Sequence, residues 1–330
     1  MNEKSTPSLI FSVFAEKAAK IKNAPADKDR GAKEVSESGQ GLWKNDLYID
    51  LERTQKYGHY GQYFALWVEL TSYKPGEELD NAFYRLYTDV RRILAEASDK
   101  MVFCLNSADI QRAAAEKKPA IFLSAEDVAS MGKYAYSAYD MGFRVMCIMG
   151  VHETQYGYST ASENKGLKPE GKKLINQYLS EGMVIDVAHM SEAGFYDVCE
   201  MVNKPIIASH ANSRKVYDHH RNLTDDQIHA LIQKKGLMGM ISFHTFMTDD
   251  PVFKPKHVIR HAEHILELGG QDILAFGGDM DGIDGKFPMG FHGIQDMDYL
   301  YNEFLKLNYS ETLLNKIFYD NAYQFTLDNM

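Results

Sequence analysis

The chain has 330 residues, 45% hydrophobic and 12% aromatic, enough to bury one large core or two average ones. Its 46 acidic residues outnumber its 36 Lys and Arg, a formal charge of -10, and with no long basic run this argues against nucleic acid as a partner. No apolar run is long enough to cross a bilayer, LIFSVFA near the start has no basic region before it, and Cys104, Cys147 and Cys199 read as buried thiols, so a cytoplasmic protein without membrane contact is expected.

In chain order, residues 1–45 are the least regular part. SLIFSVFAEKAAKIKNA reads as more helical than extended, and ADKDRGAKEVSESGQG as a polar loop. QYFALWVEL is the first persuasive strand, and DNAFYRLYTDVRRILAEA carries apolar residues at helical spacing. AIFLSAED follows as a core strand, VASMGKYAYSAYDMG as a helix and RVMCIMG as a strand. The long polar loop HETQYGYSTASENKGLKPEG suits the wall of a binding site. After the helix KKLINQYLSEG come two strands, MVIDVAHM and PIIASHA, joined by a helical segment. TDDQIHALIQKKG is a helix with a cap, LMGMISFH a strand, HVIRHAEHILELGG a helix and DILAFGGDMDG the last strand.

Seven near-continuous apolar strands, starting near 62, 120, 144, 183, 205, 237 and 273, alternate with helices. This pattern predicts a (β/α)8 TIM-like barrel over 46–330 with an atypical or missing first strand, residues 1–45 forming an atypical N-terminal segment. A doubly wound open sheet is the competing architecture. A closed barrel needs an eighth strand, and its natural place is before Gln62.

His189 and His210 end two consecutive parallel strands, and side chains at such ends meet at one mouth of an α/β fold. Two imidazoles there can share a metal ion, whereas either one alone would suit an ordinary core or rim position. Glu126 follows AIFLSA, Asp279 and Asp281 lie in FGGDMDG, and Arg221 with Asn222 ends YDHHRN. Carboxylates and imidazoles at one mouth suit zinc or a similar divalent ion; turn chemistry for the aspartates and a solvated loop for Glu126 are the alternatives.

The order AIFLSAED, GMVIDVAHMSEAGFYDV, KPIIASHANSRKVYDHHRNLTDDQI and GGQDILAFGGDMDGI resembles the membrane (renal) dipeptidase family of zinc peptidases, amidohydrolase-like barrels of the metallo-dependent hydrolase type. The resemblance implies a binuclear zinc centre that hydrolyses dipeptides, including those with a D or dehydro residue at the carboxyl end. By motif it makes Glu126 the bridging ligand, His189 and His210 ligands of the second metal, and Asp279 both a ligand and the proton carrier. Arg221 would grip the substrate carboxylate, with Asn222 beside it as a second substrate-binding residue. Such barrels often pair, so a homodimer is expected, with a small dipeptide as substrate.

Two departures qualify this expectation. The family's first strand ends Asp-x-His-x-Asp, and no such motif exists here; the candidate registers put Glu3 and Ser5, Phe14 and Glu16, or Asp27 and Asp29 at the ligand places, none restoring the histidine. Where the family commonly has Leu-Thr-His after its RVMCIMG-type strand, Gly150 stands in register, leaving His152 as the candidate to polarise the scissile carbonyl. The chain is therefore expected to hold one or two zinc ions. The alternative is an impaired or inactive dipeptidase-like protein, with one metal or none, that serves as a binding or partner protein.

Overall fold

A computed structural model describes residues 9–12, 41–282 and 287–330. Its strands are β1 (Leu9–Ser12), β2 (His59–Leu66), β3 (Val102–Phe103), β4 (Ala120–Glu126), β5 (Phe143–Cys147), β6 (Val184–Asp186), β7 (Ile207–Ala208), β8 (Leu237–Met240) and β9 (Leu274–Phe276). Eight of them close a parallel ring in the order β1, β2, β4, β5, β6, β7, β8, β9 and back to β1. The ninth, β3, lies outside that ring against the start of β4. The architecture is the (β/α)8 barrel type, and all seven strands expected from the apolar runs are present.

The eighth strand corrects one expectation. Leu9–Ser12 lies inside the stretch read as helical, yet it runs parallel to β2 from Leu9 opposite His59 to Ser12 opposite Gln62, and meets β9 at Phe276. Two open sheet edges, each with unpaired backbone groups, outweigh local helix preference in a four-residue segment. The alternative ligand registers at Glu3, Ser5, Phe14, Glu16, Asp27 and Asp29 lie outside the described residues.

Helices follow the strands as expected, including Glu77–Glu96, Pro169–Ser180, Glu192–Met201, Asp225–Gln233 and Pro255–Glu267. Glu77–Glu96 buries Leu79, Phe83, Leu86, Val90 and Leu94, the 3.6-residue stripe of a helix lying on a sheet. Thr224 and Gln227 form a reciprocal capping box at the start of Asp225–Gln233. The expected helix after β4 is instead a 3-10 segment, Val128–Ser137, broken at Gly132. There φ is +56°, a Cβ would overlap the Asp80 carboxylate, and Lys133 N donates to Asp80 Oδ1 at 2.9 Å, so an outside contact bends the chain.

Strand alternation sets the interior. Phe122, Val145, Val184, Ile207, Leu237 and Ala275 form one apolar cluster with Tyr63, closed from below by Ala322 and Phe325 of the C-terminal helix Asn321–Asn329. Two residues further along each strand the same inward face turns polar or small: Ser124 then Glu126, Cys147, Asp186, Ser209, Gly239, Gly277. The apolar plug thus lies at one end of the barrel and the ionisable groups at its carboxyl end. No helix among the described residues is long and apolar enough to cross a membrane, and the three cysteines are free thiols, Cys199 half-buried and the other two buried.

Candidate metal centre

Glu126, the last residue of β4, meets the histidines that follow β6 and β7. Its Oε1 is 3.2 Å from His189 Nε2, and His189 Nε2 is 2.8 Å from His210 Nε2. All three residues are buried, and one ligand atom from each lies within 4.8 Å of the other two. Among the described residues this is the only group of three or more that could hold a metal ion. Two imidazole nitrogens facing one point with a carboxylate beside them form a three-ligand set of catalytic zinc type, so the residues fit the ion that the sequence implies.

The histidines do not reach this point by strand geometry alone. His189 has φ of +63°, a conformation that turns its ring back over the barrel mouth, and its carbonyl accepts from Thr160 N at 2.7 Å. This ties the long 151–170 loop to the site. Beneath the histidines, Asp186 Oδ1 accepts from Ala188 N at 2.9 Å and Ser209 N at 3.0 Å, and Ser209 Oγ bonds both Asp186 Oδ2 and His210 Nδ1. Complete burial pushes the Asp186 carboxyl up to about 6 against the pull of these hydrogen bonds. Burial, then Asp186 and Glu126, keep the Cys147 thiol protonated, and its Sγ donates to Met149 O and Ala188 O.

Arg221 is buried beside the cluster, with Nη2 donating to His210 O at 3.3 Å and its guanidinium 5.6 Å from the Phe246 ring. Burial lowers its pKa, opposed by Glu126, Cys147, Asp279 and Asp186. Its Nε is buried and has no hydrogen-bond partner, a donor available to a ligand. Asn222 holds this loop by donating to Tyr217 O at 2.9 Å and Phe246 O at 2.7 Å. His261 anchors the loop's far side: Nδ1 accepts from Ser213 N and Nε2 donates to Met247 O, both at 3.2 Å.

The two aspartates after β9 separate in role. Asp279 is buried, has φ of +46° and lies near enough to Arg221 for their charges to interact. Asp281 points away, accepting from Tyr48 N at 2.8 Å and Ile49 N at 3.3 Å, and so fastens the 41–50 segment to the β9 loop. His152 is half-exposed and pairs with Glu69 at 3.3 Å rather than with the histidine cluster. Gly150 stands against Asp127: a Cβ there would lie 2.7 Å from Asp127 Cβ and Oδ2. Asp127 is buried, has φ of +59° and caps the following 3-10 segment through Ala129 N, so it takes the space a histidine at 150 would need. Sequence reasoning passed over Asp127, Asp186 and Ser209; period two along β6 and β7 was the available signal for the last two.

Residues 29–327 match the family described as membrane dipeptidase, peptidase family M19. The chain belongs to this family. It is 25% identical over 264 residues to an uncharacterized protein of Klebsiella pneumoniae, covering 75% of this chain and 95% of that one. It is 27% identical over 216 residues to a dipeptidase, tcpJ, of Claviceps purpurea, covering 63% of this chain and 50% of that one. Among solved structures it resembles the dipeptidase AC with a TM-score of 0.80 at 20% identity, covering 97% and 98% of the two chains. A Rhodobacter sphaeroides metallopeptidase, liganded with a phosphinate mimic of L-Ala-D-Ala, matches with a TM-score of 0.79 at 19% identity over 97% and 98%. Those structural matches establish the fold. Membership of this dipeptidase family, together with the three-ligand cluster, supports a metallo-dipeptidase function.

Proposed function

We propose that the chain is a dipeptidase working with one zinc ion held by Glu126, His189 and His210. The observation that carries this reading is the approach of two Nε2 atoms to 2.8 Å with Glu126 Oε1 at 3.2 Å from one of them. One ion is proposed because no histidine precedes His59 in the sequence, so β1 brings none. When bound, such an ion supplies Lewis acidity, activating water at neutral pH and polarising the scissile carbonyl.

The chain's own groups do the rest. Asp279, a buried carboxylate at the same mouth, accepts the proton of the attacking water and returns it to the leaving amine. Arg221 pairs with the terminal carboxylate of the dipeptide through Nε and a terminal nitrogen, a bidentate geometry a lysine could not match. Asn222 keeps the Arg221 loop in place, and His152, held by Glu69, stands at the rim. The protein without metal should be inactive on a panel of dipeptides and regain hydrolysis on adding zinc. Full hydrolysis after chelation, or none from a zinc-loaded chain, rejects the proposal; in the second case the binding-protein reading, favoured by Gly150 in place of a histidine, takes over.

A further inference from the structure

Beneath the proposed ligands lies a second row of groups that the proposed hydrolysis does not use. Asp186 and Ser209 in this row, and the proposed ligand His210 above them, are all buried, with exposures of 0%, 0% and 1%. Asp186 Oδ1 already accepts two backbone N–H groups, from Ala188 and Ser209, and in its ionised form the carboxylate can only accept at Oδ2 as well. The Ser209 hydroxyl proton therefore goes to Asp186 Oδ2, which leaves the oxygen's lone pair for His210 Nδ1 at 2.8 Å. A lone pair facing Nδ1 requires the proton there, and His210 Nε2, facing His189, is left bare.

Ser209 is also held from behind. A Cβ at Gly239, in the adjacent strand β8, or at Gly277, just after β9, would overlap the Ser209 carbonyl oxygen, so both positions are glycine where Ser209's backbone passes. Ala211 N donates to Gly239 O at 2.8 Å and Gly277 N to Met240 O at 2.8 Å, closing the backbone around it. A serine whose backbone is fixed to this degree presents its hydroxyl to His210 in one geometry.

We infer that Asp186 and Ser209 are positioning residues that hold His210 as the Nδ1-protonated tautomer with Nε2 ready for the metal. The inference rests on the proposed ligand role of His210. A metal-bound histidine whose other nitrogen donates to such a partner is better oriented and more basic, and losing the partner typically weakens metal affinity by about 10–100-fold. Here the partner is a relay of two residues, so removing either breaks the same chain.

Two readouts test it on the 330-residue chain. In metal-free protein labelled with 15N-histidine, with the His210 signals assigned by their loss in His210→Gln, long-range proton–nitrogen correlation should show Nδ1 protonated and Nε2 bare; in Ser209→Ala this preference should be lost. In competition titrations with zinc or cobalt against a chromophoric chelator, Ser209→Ala and Asp186→Asn should each weaken binding by about 10–100-fold, the double variant should add little to the larger single loss, and Ser209→Thr should bind like the parent. An Nε2-protonated His210 in the parent chain, or a folded Ser209→Ala with unchanged affinity, overturns the relay. If His189→Gln and His210→Gln themselves leave metal affinity unchanged, it is the ligand assignment that fails, while the tautomer measurement still judges the relay.

Discussion

His261 makes the loop that carries Arg221 sensitive to acid. Its Nδ1 accepts from Ser213 N and its Nε2 donates to Met247 O, so a second proton on Nδ1 would set two donors face to face. Burial, with smaller repulsion from Arg260, His264 and His257, drives its pKa down to about 4 from an ordinary 6.5. The folded group is thus depressed, and the stability it permits is present above pH 6.5 and lost as pH falls toward 4. Over the whole interval, the drop from 6.5 to about 4 corresponds to about 3 kcal/mol, and about 2 kcal/mol of it should be gone by pH 5. His261→Gln, which does not titrate, should be less stable than the parent at pH 7.5, yet lose about 2 kcal/mol less between pH 7.5 and 5. Urea unfolding at the two pH values reads both quantities. Equal losses in parent and variant would show that protonation of His261 does not drive the acid loss of stability.

Gly150 and Asp127 should behave as a coupled pair: Gly150→Ala alone should cost about 1–3 kcal/mol through the overlap with Asp127, and adding Asp127→Gly, which also suits φ of +59°, should recover most of it in a double-mutant cycle. Additive losses would show that the two side-chain positions do not compete. Arg221→Ala should raise KM far more than it lowers kcat, whereas Asp279→Asn should chiefly lower kcat; steady-state kinetics showing the reverse pattern would exchange or remove the two roles.

Much of the barrel was legible because parallel strands buried on both faces leave unbroken apolar runs, and each of the seven runs gave a strand. β1 was not, because four residues carry too little periodicity to outweigh the Ala- and Lys-rich stretch that follows them, and its pairing with β2 and β9 is visible only in three dimensions. At the site, the histidines stood out by their repeated place at strand ends. Asp281 carried the same local signal as Asp279 and proved to be a backbone fastener, since nothing in GGDMDG tells which carboxylate turns inward. The relay under His210 was hidden for a different reason: Asp186 and Ser209 are three and one residues from the histidines in sequence but act on each other across two strands.

The proposed site for one divalent ion is the point where Glu126, His189 and His210 meet. Anomalous scattering from crystals grown with zinc tests it directly. One strong peak per chain is expected, about 2.0–2.2 Å from a Glu126 carboxylate oxygen and from Nε2 of both histidines. A peak elsewhere in the barrel, or none at that point with zinc in excess, would contradict it.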